Sequence, residues 1–158
     1  MSLNWTQVRD APMSPADVVR ACGFYRPPVD VYRIAEMLGI EVREVTSPGW
    51  SGACQYDPAS GVATIWVRKE DHRLRKRFTV AHEIGHIVLH PPGVAYRDIE
   101  FEGSCEERQA NEYALGLLTP GFMVAALIPF YGGDFSRLAK AFDVSTGTAE
   151  HGLIRIYG

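Results

Sequence analysis

From Asp71 to His90 the chain has neither glycine–proline punctuation nor strand alternation, and inside this run lies His82-Glu83-Ile84-Gly85-His86. The pattern predicts one long helix over residues 71–90. Residues four apart on a helix share a face, one turn from each other. Two imidazoles placed so can reach one divalent ion at about 2.0–2.1 Å. Glu83 then stands beside the ion, placed to take a proton from attacking water and return it to a leaving amine. About one chain in a hundred of this composition would carry the bare motif by chance, so its context decides. Phe78, Ala81, Val88 and Leu89 supply a face that can anchor the helix in a core. Gly85 costs a helix interior about 1 kcal/mol relative to alanine, which a close approach by another element would explain. Polar groups buried on such a helix need compensation.

A catalytic metal needs a third protein ligand. His90 lies about 12 Å along the helix from His82, too far to share an ion with it, and is expected behind the ligands or at the surface. Position 89 is Leu89 and position 92 is Pro92, so the longer metzincin pattern fails. The acidic candidates on the next helix, Ser104 to Leu118, are Glu106, Glu107 and Glu112. Glu107 and Asn111 lie four apart on one face, a carboxylate with an amide able to orient a liganding imidazole. Ala110 between them leaves room for close helix packing. Against this, Ser104 and Glu107 also have the spacing of a capping box.

The rest of the chain reads as short elements. Ser14-Pro15 opens a helix ending at Gly23, and Asp30 to Leu38 forms another closed by Gly39. Ile40–Val45, Trp50–Tyr56 and Val62–Val67 read as strands, and their short connections predict an antiparallel meander. An acidic loop spans Asp98 to Glu102. Further helices are expected at Phe122–Ile128, Asp134–Phe142 and Thr148–Ile156. The class is α+β: a small antiparallel three-stranded sheet flanked by helices. At 158 residues the chain fits one domain, residues 1–158. The three cysteines, Cys22, Cys54 and Cys105, have no metal or disulfide spacing and are expected as reduced thiols. A net charge of −3 disfavours direct nucleic-acid binding. No apolar run is long enough to span a membrane, and Met1 to Thr6 shows no secretory signal, so a cytoplasmic location is expected.

Arg77 to His90 resembles the core of the ImmA/IrrE family of zinc metallopeptidases. Glu107 to Ala114 with Leu117-Leu118-Thr119-Pro120 resembles its second signature. Pro27 to Asp30, Ile34 to Ile40 and Phe142 to Ser145 are similar as well, so the likeness spans about residues 14–156. The family's usual Met is Thr119 here. The resemblance implies a zincin-like, gluzincin-type fold with metal on His82, His86 and Glu107 and catalysis by Glu83. It also implies a protein substrate, a helix-turn-helix repressor controlling a mobile element, prophage or stress response. Two histidines and a carboxylate suit Zn²⁺, and Mn²⁺ as well.

Oxyanion stabilisation needs a donor, and Tyr113, Tyr131, His90 and His151 each offer one. If Val62–Val67 is a free sheet edge, a substrate segment can add to it as a strand. The basic run from Arg68 to Arg77 (Arg68, Lys69, Arg73, Arg75, Lys76, Arg77) reads as a solvated face, with steering of an acidic partner as the other option. Two other readings compete. Leu138 to Ser145 resembles half of a helix-turn-helix, which would make the chain a DNA-binding regulator with a vestigial site. Alternatively the domain is a non-hydrolytic binding module or toxin–antitoxin component that sequesters a partner regulator.

Overall fold

The computed structural model describes residues 3–47, 49–57, 59–90, 96–97 and 104–157. The first helices are α1 (Trp5–Asp10), α2 (Pro15–Ala21) and α3 (Val31–Met37). Three strands follow, β1 (Ile40–Val45), β2 (Gly52–Asp57) and β3 (Val62–Arg68), then α4 (Arg73–Leu89). A two-residue strand β4 (Tyr96–Arg97) precedes α5 (Cys105–Leu118), α6 (Gly121–Tyr131), α7 (Phe135–Phe142) and α8 (Thr146–Tyr157). The expected elements are present, and α1 is an addition. Its start is a capping box, with Asn4 accepting from the Gln7 amide and Gln7 reaching back to the Asn4 amide. The acidic loop expected at Asp98 to Glu102 lies outside the described residues. No disulfide forms among the described residues: Cys22 and Cys54 are buried, and Cys105 is exposed.

The strand pairing corrects the expected meander. The sheet order is β1-β3-β2-β4, with β1 parallel to β3 and β2 antiparallel to both β3 and β4. Composition explains the order. β1 alternates charged with apolar residues and exposes the charged ones, as an edge strand does. β3 carries an almost unbroken apolar run, with Ile65 and Val67 fully buried, and takes the interior position. Val62–Val67 is therefore not a free edge, and strand addition by a substrate cannot occur there.

One face of α4 packs on β2 and β3, and the other meets α5. Ile65, Val80, Ile84, Ile87 and Leu117 are fully buried in one continuous core. Gly85 is where the two helices cross. A Cβ there would stand 3.0 Å from Tyr113 Cβ, 3.1 Å from the Ala110 carbonyl oxygen and 3.2 Å from Ala110 Cα. The close approach expected from this glycine is present, and Ala110 is its counterpart. Among the described residues no single helix is long and apolar enough to cross a membrane.

The basic run divides: Lys69, Arg73 and Arg75 are exposed, as a solvated face requires, whereas Lys76 and Arg77 are drawn into the fold. Lys76 pairs with Glu44 at 3.0 Å, and Arg73 with Asp143. Arg77 is buried and donates to the carbonyls of Val29, Phe142 and Asp143 at 2.9, 3.2 and 2.9 Å. Asp143 itself takes the left-handed conformation, φ 57°, at the end of α7. Its contacts tie the start of α4 to the turn between α7 and α8. The hydrogen bond from Arg73, with Arg77 close by, holds the Asp143 carboxyl below the usual carboxylate range.

Two outcomes follow from this packing. Gly85→Ala gains about 1 kcal/mol of helix propensity but presses on the backbone of α5, which costs about 1–3 kcal/mol. We expect a lower urea midpoint and a weakened site. Asp143 has a native pKa below its unfolded value. It therefore contributes stability above pH about 4 that is lost as pH falls through the native value. Asp143→Asn should unfold at lower urea than wild type at pH 7, and the gap should close on acidification below pH about 4.

Candidate metal centre

α4 presents His82, Glu83 and His86 to the interior, 3%, 0% and 0% exposed. α5 supplies Glu107 from its first turn, where the helix dipole favours a carboxylate. The capping alternative for Glu107 resolves into a division of labour. Its backbone N–H donates to Ser104 Oγ at 3.1 Å, while its carboxylate lies on the histidines. One oxygen is 2.7 Å from His82 Nε2, and the other is 2.9 Å from His86 Nε2. The donor atoms of His82, His86 and Glu107 all lie within 4.8 Å of one another. Burial raises the Glu107 pKa, but the hydrogen bonds from the two histidines prevail and bring it to about 2. Burial is also the main cause of the lowered pKa of His86.

The outer ring nitrogens have partners of their own. His82 Nδ1 is 2.8 Å from Asn111 Oδ1, an acceptor, so His82 donates from Nδ1. His86 Nδ1 is 2.7 Å from His90 Nδ1, and His90 Nε2 is 3.0 Å from Gln109 Oε1. The two inner Nε2 atoms stand 3.1 Å apart and face an ionised carboxylate. Such a grouping is repulsive unless positive charge sits among the three, and a proton or a metal ion is what it is built to meet. A nitrogen, nitrogen and carboxylate-oxygen set fits a borderline divalent ion.

The secondary candidates separate. Asn111 touches His82. His90 is buried, 3% exposed, behind His86 rather than at the surface. Tyr113 packs against Gly85, and its hydroxyl has no hydrogen-bond partner among the described residues. Tyr131, at the end of α6, packs against the hydrophobic core instead. His151 is exposed on α8. It lines a groove of 1380 Å³ between α4, α5 and α8. Phe78 and Asn111 also line this groove. Phe78 stacks on His82, ring centroids 6.3 Å apart, so the groove abuts the donor cluster without including it. Arg75 gives its wall positive charge, while Glu112 is paired with Arg155 at 2.9 Å.

Sequence reading missed two residues. Gly52 of β2 lies against Glu83: a Cβ there would run into the Thr79 methyl and stand 3.1 Å from Glu83 Oε1. The signal was a glycine inside a strand, which marks close approach. Gln109 carried no signal, because its role depends on where His90 points.

Residues 35–153 match the family model of the IrrE N-terminal-like domain, Peptidase_M78. The chain belongs to this peptidase family. Its His82, His86 and Glu107 form a buried cluster that could hold a metal ion, which fits a metallopeptidase family. Among solved structures the chain is similar to a Mycobacterium tuberculosis transcriptional regulator, with a TM-score of 0.55 and 18% identity. The match covers 94% of this chain and 50% of that one, so the chain spans half the length of its structural relative. No curated protein sequence matches.

Proposed function

We propose that the protein is a zinc-dependent endopeptidase that cuts a protein substrate at a specific site, the substrate being a helix-turn-helix transcriptional repressor in the cytoplasm. The observation that carries the reading is the buried convergence of His82 Nε2, His86 Nε2 and the Glu107 carboxylate, with Glu83 on the same helix. These three side chains would hold the ion. A divalent ion there supplies Lewis acidity, polarising the scissile carbonyl and making water acidic enough to attack near neutral pH. Asn111 keeps the His82 proton on Nδ1. Glu83 accepts the proton of the attacking water and delivers it to the amide nitrogen as that bond breaks. Gly52 leaves the β2 backbone against Glu83, which limits where the carboxylate can swing. The substrate chain lies along the groove, where Phe78 offers an apolar contact and Arg75 attracts acidic residues. Of the candidate oxyanion donors, His151 is exposed and lines this groove, whereas the Tyr113 hydroxyl is buried. Support for a repressor as substrate comes from the sequence resemblance and from a structural relative described as a transcriptional regulator.

Calorimetric titration of metal-stripped protein with Zn²⁺ and with Mn²⁺ should show one site. Glu107→Ala should weaken it by more than about 100-fold. Unchanged affinity would remove Glu107 from the ligand set. Glu83→Gln should keep full metal affinity and slow cleavage by about 10²- to 10⁴-fold. The assay is mass spectrometry of helix-turn-helix proteins encoded beside this chain, and retained cleavage by the variant would overturn the role of Glu83.

A further inference from the structure

We infer that Arg75 determines specificity by selecting substrates with an acidic side chain about three residues to one side of the cut. The inference rests on the peptidase reading above and names the substrate sequence that the groove prefers. Its basis is one face of α4. Arg75, Phe78 and His82 are spaced three and four apart, so they lie in one row along the helix. His82 belongs to the donor cluster, and Phe78 stacks on it with ring centroids 6.3 Å apart. Phe78 and Arg75 both line the groove. The row therefore leads from the cluster into the groove, apolar first and basic second.

Charge decides what the basic end takes. Arg73 and Lys76, its neighbours on α4, are paired with Asp143 and Glu44. Arg75 is exposed and forms no ion pair among the described residues. The only acidic residue among the described lining residues is Glu112, and Arg155 holds it at 2.9 Å. An arginine without a local partner, beside an apolar ring, complements a carboxylate next to an apolar side chain. A lysine at the same substrate position would meet like charge. Helix geometry sets the register. Seven residues from Arg75 to His82 span about 10 Å along the axis. An extended peptide covers about 3.3–3.6 Å per residue. The acidic side chain is thus about three residues from the bond held at the cluster, with an apolar one over Phe78 between them.

The test is a degenerate decapeptide library digested by the Zn²⁺-loaded protein, with cleavage sites read by mass spectrometry. Wild type should favour Asp or Glu about three residues to one side of the cut, and Arg75→Lys should keep that preference. Arg75→Glu should exchange it for Lys or Arg. On the best-cut acidic peptide, Arg75→Glu should raise KM about 3- to 10-fold with kcat and Zn²⁺ affinity unchanged. Lys140→Glu reverses an equally exposed charge on α7, outside the groove, and should leave the preference intact. Cleavage without an acidic preference, or equal effects of the two charge reversals, would overturn the role of Arg75 and leave the peptidase reading standing. A second measurement passes the same library over immobilised metal-free protein. Acidic peptides retained by wild type and released by Arg75→Glu, with no cleavage by the Zn²⁺-loaded protein, would overturn the peptidase reading and keep the assignment of the groove. Neither retention nor cleavage would overturn both.

Discussion

The crossing of α4 over α5 at Gly85 and Ala110 is the contact on which the site depends. A carboxylate reaches only a short distance from its helix, so Glu107 can lie on two histidines of α4 only if the backbones come very near. Any side chain at position 85 would meet Ala110 backbone atoms at 3.1–3.2 Å. The intrinsic cost of glycine in a helix, about 1 kcal/mol, is offset by what the approach permits. The same crossing brings Asn111, one turn beyond Glu107, to the outer edge of His82.

Close packing creates a second problem, which the same helix solves. Burying two imidazoles and two carboxylates is costly unless each polar atom is satisfied. α5 supplies three of the compensating groups, Glu107, Gln109 and Asn111, within five consecutive positions. Glu107 faces the inner nitrogens. Asn111 and Gln109 face the outer ones, one directly and one through His90. A run of this kind cannot be read as an amphipathic stripe, because its polar residues serve the interior.

This explains which parts were legible in the sequence. Local rules located the strands and most helix starts, because Ser14, Asp30, Ser104 and Asp134 cap as their chemistry requires. The His82 and His86 pair was legible because its geometry is internal to one helix. Glu107 was ambiguous: its backbone does take part in a cap, and only the tertiary crossing shows where its carboxylate goes. The strand order was misjudged because short loops favour neighbours in sequence. The competing principle, that the most apolar strand takes the middle, needed the pattern of β3 to be weighed against that of β1. His90 was expected behind the ligands or at the surface, since an eight-residue spacing rules out sharing an ion with His82 but is silent on a contact with His86 one turn away.

The basic run shows how one stretch of charge can hold a site at a distance. Arg77 spans three carbonyls at the junction of α3, α4 and α7, and Arg73 adds Asp143. These bonds lock the first turns of α4 against the turn into α8, while Gly85 and Ala110 lock its later turns against α5. Arg75, on the same helix, belongs to the groove. Arg73 and Arg77, one turn apart, serve the fold, while Arg75 points to another side of α4, so counting the three as a single patch would assign the wrong number to either task.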